Sequence, residues 1–284
     1  MRIDVSEVKS FRTCRRQWQL SSRNMFHLRP KVTPPAFILG TIFHEALHAL
    51  YAGATLESVM TMIKREMSSD KDAALLAMIP GYATKVLPGD LDRFDVLEIE
   101  HKFSFVPEQD PDLEIVGSID MIVMEKDTGL IYGFEHKTCK NFREPSYMWM
   151  DEQPRVYYVA LQKYAQEKYP GHGVGGVYIN EVKKLLRDFQ YQRIRGVYPE
   201  DDLKNFMDGF FATCAACKNL VTSGDFPAPT PNYFTCKLCN FKGICEKYMY
   251  ANLDLNLIVE QFGDEFIVRD SDHLEEKQER DLSN

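Results

Sequence analysis

Residues 113–137 read LEIVGSIDMIVMEKDTGLIYGFEHK, which is two apolar runs joined by a short polar turn. The runs Leu113–Met124 and Leu130–Lys137 are rich in β-branched and aromatic residues, which favour strands. Asp127-Thr128-Gly129 between them is typical of a tight turn. The pattern therefore predicts two consecutive strands of a hairpin or meander.

These two strands carry three charged residues, Asp120, Glu135 and Lys137. Side chains two positions apart on a strand share a face, so Glu135 and Lys137 project together and His136 points to the other face. If the strands pair, Asp120 can lie near Glu135. Two carboxylates suit Mg²⁺ or Mn²⁺, and a neighbouring lysine can orient water and offset phosphate charge. From these residues alone, a plain ion pair at a strand end is an equally good interpretation.

The rest of the chain mixes helical and extended patterns. Hydrophobic periodicity predicts helices over residues 5–20, 37–51, 55–87, 148–168 and 200–222. It predicts further strands over residues 96–106, 173–182 and 187–195. The expected fold class is therefore α/β.

Composition indicates a soluble globular protein, because 44% of the 284 residues are hydrophobic and 27% are charged. No apolar run approaches the roughly 18 residues that a membrane helix needs. The N-terminus has no apolar signal-peptide core, so we expect a cytoplasmic protein without a membrane partner.

The net charge of -8 argues against non-specific nucleic-acid binding, but the charges are unevenly distributed. Residues 1–31 contain eight basic and two acidic side chains, and Arg12, Arg15 and Arg16 are candidate DNA contacts. A second basic run lies within residues 183–195. Residues 270–284 contain six acidic and two basic side chains, which indicates that residues 251–284 form an acidic, disordered tail.

The cysteines indicate a metal or cluster site. Cys236, Cys239 and Cys245 form C-x2-C-x5-C, and Cys14 lies far upstream. Four thiolates of this kind could hold a 4Fe-4S cluster or a zinc ion. The seven cysteines are an odd number, so they cannot all form disulfides within the chain.

A rival set of four thiolates combines Cys214 and Cys217 with Cys236 and Cys239, which has zinc-ribbon spacing. However, Cys214 and Cys217 lie in FFATCAACKNL, an amphipathic helical pattern in which small buried cysteines are common. We therefore favour Cys14 over that pair.

Four short motifs follow one another along the chain. They are Gly40-Thr-Ile-Phe-His44, Gly117-Ser-Ile-Asp120, Glu135-His136-Lys137 and Gln153-Pro-Arg-Val-Tyr157. This order resembles the RecB-type branch of the PD-(D/E)XK nucleases, which shows G-x-x-x-H, G-x-x-D, E-x-K and Q-x-x-x-Y. With the cysteines, the chain is similar to an iron–sulfur subgroup that includes CRISPR-associated exonucleases, AddB-type nuclease domains and related phage proteins. The resemblance covers roughly residues 8–250. Ser118-Ile119 precedes Asp120 where other branches have proline, as is usual for the RecB type.

The resemblance implies a restriction-endonuclease-like core, with a central mixed sheet flanked by helices, over residues 1–250. A helical insertion would occupy residues 55–95, and a small cluster lobe would combine Cys14 with residues 227–250. The catalytic Mg²⁺ or Mn²⁺ would be bound by His44, Asp120, Glu135 and the backbone carbonyl of His136. Lys137 would serve the hydrolytic water, and Gln153 and Tyr157 would line the site and touch DNA. The implied ligands of a 4Fe-4S cluster, rather than zinc, are Cys14, Cys236, Cys239 and Cys245.

The implied activity is a metal-dependent DNA exonuclease that acts on single-stranded or end-containing DNA. Its setting would be recombination, repair, phage replication or CRISPR adaptation in a prokaryotic or phage-infected cytoplasm, with DNA and proteins of those pathways as partners.

Two alternatives remain open. His44-Glu45-Ala46-Leu47-His48 matches H-E-x-x-H, with Glu66 as a downstream acid, and this pattern is typical of zinc metalloproteases. A protease would leave Asp120, Glu135, Lys137 and the cysteines unexplained. The third reading is an inactive DNA-binding module, against which the intact acidic residues and lysine argue.

Overall fold

The structure is a computed structural model that describes residues 1–32, 35–67, 73–224, 229–248, 251 and 253–269. The chain divides into two compact units, which we name by their content. The sheet unit comprises residues 34–105 and 116–207, and the cysteine unit comprises residues 1–33, 106–115 and 208–284.

The chain contains runs of helices interspersed with runs of strands. In chain order they are β1 (Arg2–Asp4), α1 (Val5–Thr13), α2 (Arg15–Ser21), β2 (Leu28–Pro30), α3 (Pro35–Tyr51), α4 (Leu56–Glu66), α5 (Leu75–Lys85), α6 (Leu87–Arg93), β3 (Phe94–Phe105), β4 (Glu114–Glu125), β5 (Ile131–Cys139), α7 (Glu152–Lys168), β6 (Val174–Lys183), β7 (Tyr191–Gly196), α8 (Glu200–Ser223), α9 (Tyr233–Lys237), α10 (Lys242–Tyr248), α11 (Leu255–Phe262) and β8 (Phe266–Val268). A 3-10 turn at Pro145–Trp149 precedes α7. None of the described helices combines the length and apolar character needed to cross a membrane.

The strands of the sheet unit form one mixed sheet in which β4, β5, β6 and β7 are successive neighbours and β3 also pairs with β4. The predicted hairpin of β4 and β5 is antiparallel, with Met121 opposite Phe134. β6 pairs parallel to β5, with Glu135 opposite Ile179. A parallel neighbour needs a long crossover, and α7 supplies it.

Helices cover both faces of β5. Gly133 and Glu135 face α7, where a side chain at position 133 would come within 2.8 Å of Leu161. Phe134 and His136 face the other way and join the aromatic core contributed by α3 and α5. The predicted α/β fold with a central mixed sheet flanked by helices is therefore confirmed.

The prediction of one helix over residues 5–20 is wrong, because the helix is broken at Cys14. This residue has extended backbone angles (φ -161°, ψ 114°) between α1 and α2. Periodicity does not reveal the break, since the apolar stripe continues across it. Phe11 and Trp18, on opposite sides of the break, stack edge-to-face with ring centroids 5.1 Å apart.

The prediction of a disordered tail from residue 251 is wrong for residues 253–269. These residues form α11 and β8, and β8 pairs antiparallel with β2, with Leu28 opposite Val268. Ile258 and Phe266 are buried in the core of the cysteine unit with Leu28. The acidic composition of the segment indicated disorder, although the segment also contains these buried apolar residues. The acidic run 270–284 lies outside the described residues.

One buried ion pair fastens α6 to the sheet. The Arg193 guanidinium donates to both carboxylate oxygens of Asp90 at 2.6 Å and to Asn180 Oδ1 at 2.6 Å. The Tyr51 hydroxyl also donates to Asp90, at 2.5 Å. Arg193 therefore stabilises the core of the sheet unit. Because its guanidinium is already bonded to Asp90 and Asn180, it is not available as the DNA contact that the basic run 183–195 suggested.

We expect Asp90→Ala to lower the free energy of unfolding by about 3–5 kcal/mol, because it leaves a buried guanidinium without its carboxylate. The control is Asp95→Ala, since Asp95 is exposed and lies 3.8 Å from Lys126. That exposed pair should contribute about 0–1 kcal/mol. Urea denaturation measures both, and equal losses would contradict the assignment.

Candidate metal centre

The pairing of β4 with β5 brings two carboxylates together near α3. Because Met121 lies opposite Phe134, Asp120 lies next to the segment Glu135–His136. Asp120 Oδ2 accepts the backbone N–H of His136 at 2.7 Å, and Asp120 Oδ1 lies 3.3 Å from His44 Nδ1 on α3. Three separate segments of chain thus meet at one carboxylate.

Glu135 is 4% exposed, and its two oxygens have different surroundings. Oε1 contacts Lys137 Nζ and accepts a hydrogen bond from Gln153 Nε2 at 3.0 Å. Gln153 Nε2 also donates to the Tyr157 hydroxyl oxygen at 2.7 Å, so α7 supports this side of the site. Oε2 is buried and has no hydrogen-bond partner among the described residues. A buried carboxylate oxygen without a partner is costly, and a bound cation would satisfy it.

The two carboxyl groups titrate differently because their surroundings differ. Burial, followed by the charge of Asp120, raises the pKa of Glu135 to about 7. Burial alone would raise the pKa of Asp120 too, but the hydrogen bond and charge of His44 outweigh it and lower that pKa to about 2. At neutral pH, Asp120 is therefore ionised, whereas Glu135 keeps its proton to a higher pH than an ordinary carboxyl group does.

The neighbouring cations stay protonated more readily than usual. Burial would lower the pKa of Lys137, but the charge and hydrogen bond of Glu135 raise it. In the same way Asp120 outweighs burial and raises the pKa of His44. The positive charges of His44 and Lys137 thus balance the negative charges of Asp120 and Glu135.

The donor set suits a divalent cation. Ligand atoms of His44, His48 and Asp120 all lie within 4.8 Å of one another, and they form the one such group of three found among the described residues. Glu135 does not belong to that group, although the charges of Asp120 and His44 act on its carboxyl group. Imidazole nitrogens and carboxylate oxygens are both present, which Mn²⁺ accepts and Mg²⁺ accepts in part. The sequence pattern indicated His48 only as a protease ligand, and its spacing from His44 places both residues on one helical face.

Some of the predicted DNA contacts are exposed to solvent and others are buried. In the cysteine unit Arg12 and Arg15 are exposed and line a groove of about 590 Å³. Arg16 is 3% exposed and donates to the Ala251 carbonyl at 3.3 Å, so its prediction as a DNA contact is wrong. Tyr157 is 6% exposed and packs on Phe103, so its part in the site is support for Gln153 rather than contact with DNA. Helical periodicity did not separate these positions, because exposure here depends on the packing of neighbouring elements.

Four cysteines of the cysteine unit line one cavity of about 130 Å³, and they are Cys14, Cys236, Cys239 and Cys245. The rival residues Cys214 and Cys217 are fully buried on α8 and do not line it. Burial raises the pKa of the Cys245 thiol to about 11.

We expect metal affinity of the His44–Asp120–Glu135 site to rise with pH. Glu135, with a pKa of about 7, must lose its proton to bind a cation, so binding releases a proton at lower pH. His44, whose pKa is also raised, must likewise lose its proton to bind, so at lower pH the apparent Mn²⁺ affinity should rise about ten- to hundredfold per pH unit. It should level off once both groups have lost their protons.

Calorimetric titration with Mn²⁺ between about pH 6 and pH 8 measures this dependence. Glu135→Gln removes the titrating carboxyl and should bind weakly with a flatter pH profile. An unchanged wild-type affinity across the range would show that Glu135 is not a ligand.

Comparison with known proteins agrees with this geometry. The sequence profile of the PD-(D/E)XK nuclease superfamily matches residues 2–246. A crystal structure from Eubacterium rectale, whose name carries a provisional assignment as an exonuclease, superposes with a TM-score of 0.53 at 11% identity, covering 90% of this chain and 91% of that chain. At this identity the likeness shows the fold alone.

A crystal structure of the protein named SSO0001 matches with a TM-score of 0.33 at 14% identity, covering 77% of this chain and 96% of that chain. No curated protein matches the chain. Nucleases of the PD-(D/E)XK superfamily use Mg²⁺ or Mn²⁺, for which the donor set above is suited. Since the profile extends over most of the sequence, this chain belongs to the PD-(D/E)XK nuclease superfamily.

Proposed function

We propose that this protein is a Mg²⁺- or Mn²⁺-dependent DNA exonuclease that acts on single-stranded or end-containing DNA. The observation that carries the proposal is the Glu135 carboxylate, which is buried beside Asp120 with one oxygen held by Lys137 and Gln153 and the other without a partner. The order of the four motifs favours a role in recombination, repair, phage replication or CRISPR adaptation.

His44, Asp120, Glu135 and the backbone carbonyl of His136 would hold the catalytic ion. When bound, the ion would polarise a water molecule and the phosphate of the scissile bond. The backbone of His136 is positioned for this by the hydrogen bond from its N–H to Asp120. Its imidazole lies on the opposite face of β5, where it is buried and stacks on the Tyr51 ring with ring centroids 5.9 Å apart.

Lys137 would offset the charge that develops on the phosphate. Its Nζ contacts Glu135, and its raised pKa keeps it protonated and able to donate hydrogen bonds to a phosphate oxygen or to water. Gln153 is a positioning residue, because its amide connects Glu135 to Tyr157 and so sets the orientation of the carboxylate. No side-chain nucleophile is needed.

Exposed aromatic rings support a single-stranded substrate. Tyr147 and Trp149, just before α7, are 53% and 51% exposed, and exposed aromatic rings can stack on unpaired bases. At Gly40, one turn before His44 on α3, no atom of the described residues lies within 4 Å of where a side chain would begin, which leaves room beside the metal ligands. In the cysteine unit, the exposed Arg15 offers a guanidinium group to phosphates, whereas Arg12 already donates to Thr213 Oγ1 and to the Gly209 carbonyl.

We further propose that Cys14, Cys236, Cys239 and Cys245 hold a 4Fe-4S cluster. The cavity that they line supports this assignment. A single zinc would bring its four sulfurs to about 3.8 Å of one another, given Zn–S bonds of about 2.3 Å. Among the described residues no three cysteine sulfurs lie within even 4.8 Å of one another, so a larger cluster suits the cavity better.

We expect Lys137→Ala to reduce cleavage of end-labelled linear single-stranded DNA about 10²–10³-fold, because the charge at the phosphate is lost. The assay uses anaerobically purified protein with Mn²⁺, Mg²⁺ or EDTA. Lys140→Ala, which removes an exposed lysine three positions on, should leave the rate unchanged. Full activity in Lys137→Ala, or in EDTA, would contradict the proposal.

Assays on the same protein preparation distinguish the nuclease from the protease and from the inactive DNA-binding module. Glu45, the general base of a protease reading, is exposed on α3, and Glu45→Ala should affect cleavage of DNA far less than Lys137→Ala. Hydrolysis of a protein substrate that is lost in Glu45→Ala would favour the protease. Metal-independent retention of DNA in a gel without any cleavage would favour an inactive binding module.

We expect Cys236→Ala to lose the brown colour, iron and sulfide of the purified protein and to lower its melting temperature, because a cluster would join Cys14 to residues 236–245. Cys139→Ala, which removes a cysteine of the sheet unit, should retain iron and stability. Elemental analysis of wild type that finds zinc and no iron, or a brown and equally stable Cys236→Ala, would overturn the cluster assignment.

A further inference from the structure

The basic run within residues 183–195 begins beside the candidate site. Lys183 is the last residue of β6, and it pairs with Cys139, the last residue of β5. The backbone N–H of Lys184 donates to the Cys139 carbonyl at 2.8 Å, so the contact continues one residue beyond the strands. The start of the basic run therefore lies against the end of the strand that carries Glu135.

Strand geometry places Lys183 on the same face of the sheet as the candidate site. Glu135, Lys137 and Cys139 are each two positions apart on β5, so their side chains share a face. Lys183 is in register with Cys139 and faces the same side. Two residues along a strand span about 6.6 Å, so this pair lies one such step beyond Lys137. Lys137 and Lys183 are both partly exposed, and they form a row that leads out of the site to solvent.

The position of Lys183 is set by the loop that follows β5. Its Nζ lies 4.4 Å from the centroid of the Phe142 ring. The next residue, Arg143, donates from its backbone N–H to Glu181 Oε2 at 3.0 Å and from Nε to Glu181 Oε1. Glu181 is 1% exposed, so this loop is fastened to the sheet from within. Arg143 also balances the charge of Glu181, which is the acidic residue in register with Lys137.

The Cys139 thiol reports the electrostatics at the end of the row. Burial, followed by the charge of Glu181, raises the pKa of this thiol. Three nearby positive charges act in the opposite direction, and they belong to Lys183, Arg143 and Lys184. Positive charge from separate segments of the chain thus converges on one partly exposed position. Such a position suits an anion.

We propose that Lys183 and Lys184 bind the phosphate that neighbours the scissile phosphate, on the side of the site where β5 ends. This inference rests on the proposed nuclease, because it assigns the path of the DNA strand beyond the site. Lysine contacts with phosphate position a strand without reading its bases. Arg143 is a positioning residue, since it holds the loop that carries Phe142 against the sheet.

The first measurement is the salt dependence of DNA binding. Fluorescence anisotropy follows a labelled single-stranded oligonucleotide in EDTA at salt concentrations between about 50 and 200 mM. Each phosphate contact on a single strand contributes about 0.7 to the slope of the logarithm of affinity against the logarithm of salt concentration. Lys183→Met and Lys184→Met should therefore each lower the slope by about 0.7. Lys183→Arg, which keeps the charge, should retain it.

The matched control is Lys64→Met, which removes an exposed lysine on α4 in the same unit. It should leave the slope unchanged, and melting curves check that all variants are folded. An equal decrease in Lys64→Met would show that the slope reports net charge alone and would overturn the assignment.

The second measurement locates the bound strand. Alkylation of Cys139 by iodoacetamide, followed by mass spectrometry of the peptide that contains it, should be slowed by the oligonucleotide in wild type. In the Lys183→Met/Lys184→Met double variant the oligonucleotide should give little protection. A lysine that only supports the fold would not change this protection in a folded variant.

Cleavage assays with Mn²⁺ on the same proteins separate this inference from the proposed function. Unchanged salt slopes in the lysine variants and an unprotected Cys139, in a wild type that cleaves DNA, would overturn the phosphate site and leave the nuclease intact. Lowered slopes and a protected Cys139 in a wild type that cleaves no DNA would overturn the nuclease and support the phosphate site. A wild type that does not bind the oligonucleotide would overturn the phosphate site.

Discussion

The hydrogen bond from the His136 backbone N–H to Asp120 Oδ2, 2.7 Å long, is the interaction on which the candidate site depends. It exists because β4 and β5 pair with Met121 opposite Phe134. A register slip of one residue would exchange the two faces of β5 and present His136 where Glu135 now lies. Apolar residues on both strands oppose such a slip, because it would move Phe134 out of the aromatic core.

The two faces of β5 divide the work of the site. Glu135 and Lys137 face α7, where Gln153 holds the carboxylate. His136 faces the core, where burial lowers its pKa to about 3 and keeps the imidazole neutral. Asn180, which accepts from Arg193, contacts that imidazole at 3.3 Å. This polar network in the core holds β5 in place. Because the opposite face of β5 presents Glu135 and Lys137, the network helps to preorganise the candidate site.

The cysteine unit holds the C-terminal part of the chain by two separate means. Pairing of β8 with β2 and burial of Ile258 and Phe266 fasten residues 253–269. The proposed cluster would fasten residues 236–245 to Cys14. The strand pairing and the proposed cluster each join residues more than two hundred positions apart. Each therefore has to offset the chain entropy that is lost when such a long loop closes. The break in the helix at Cys14 separates this residue from both helices and leaves it in the lining of the cavity.

Local patterns in the sequence predicted most elements of the sheet unit and the pairing of β4 with β5, because alternation of apolar residues and the turn at Asp127–Gly129 act over short distances. The resemblance of the ordered motifs to the PD-(D/E)XK nucleases, rather than any local pattern, indicated Asp120, Glu135 and His44 as one set. Only the tertiary structure decided which basic residues are exposed: Arg16 and Arg193 have the same charge as Arg15, but Arg16 is buried and Arg193 is largely covered by elements distant in sequence. The same holds for Glu100, whose position beside His48 is set by the packing of β3 against α3, a contact between residues about fifty positions apart that no local pattern records.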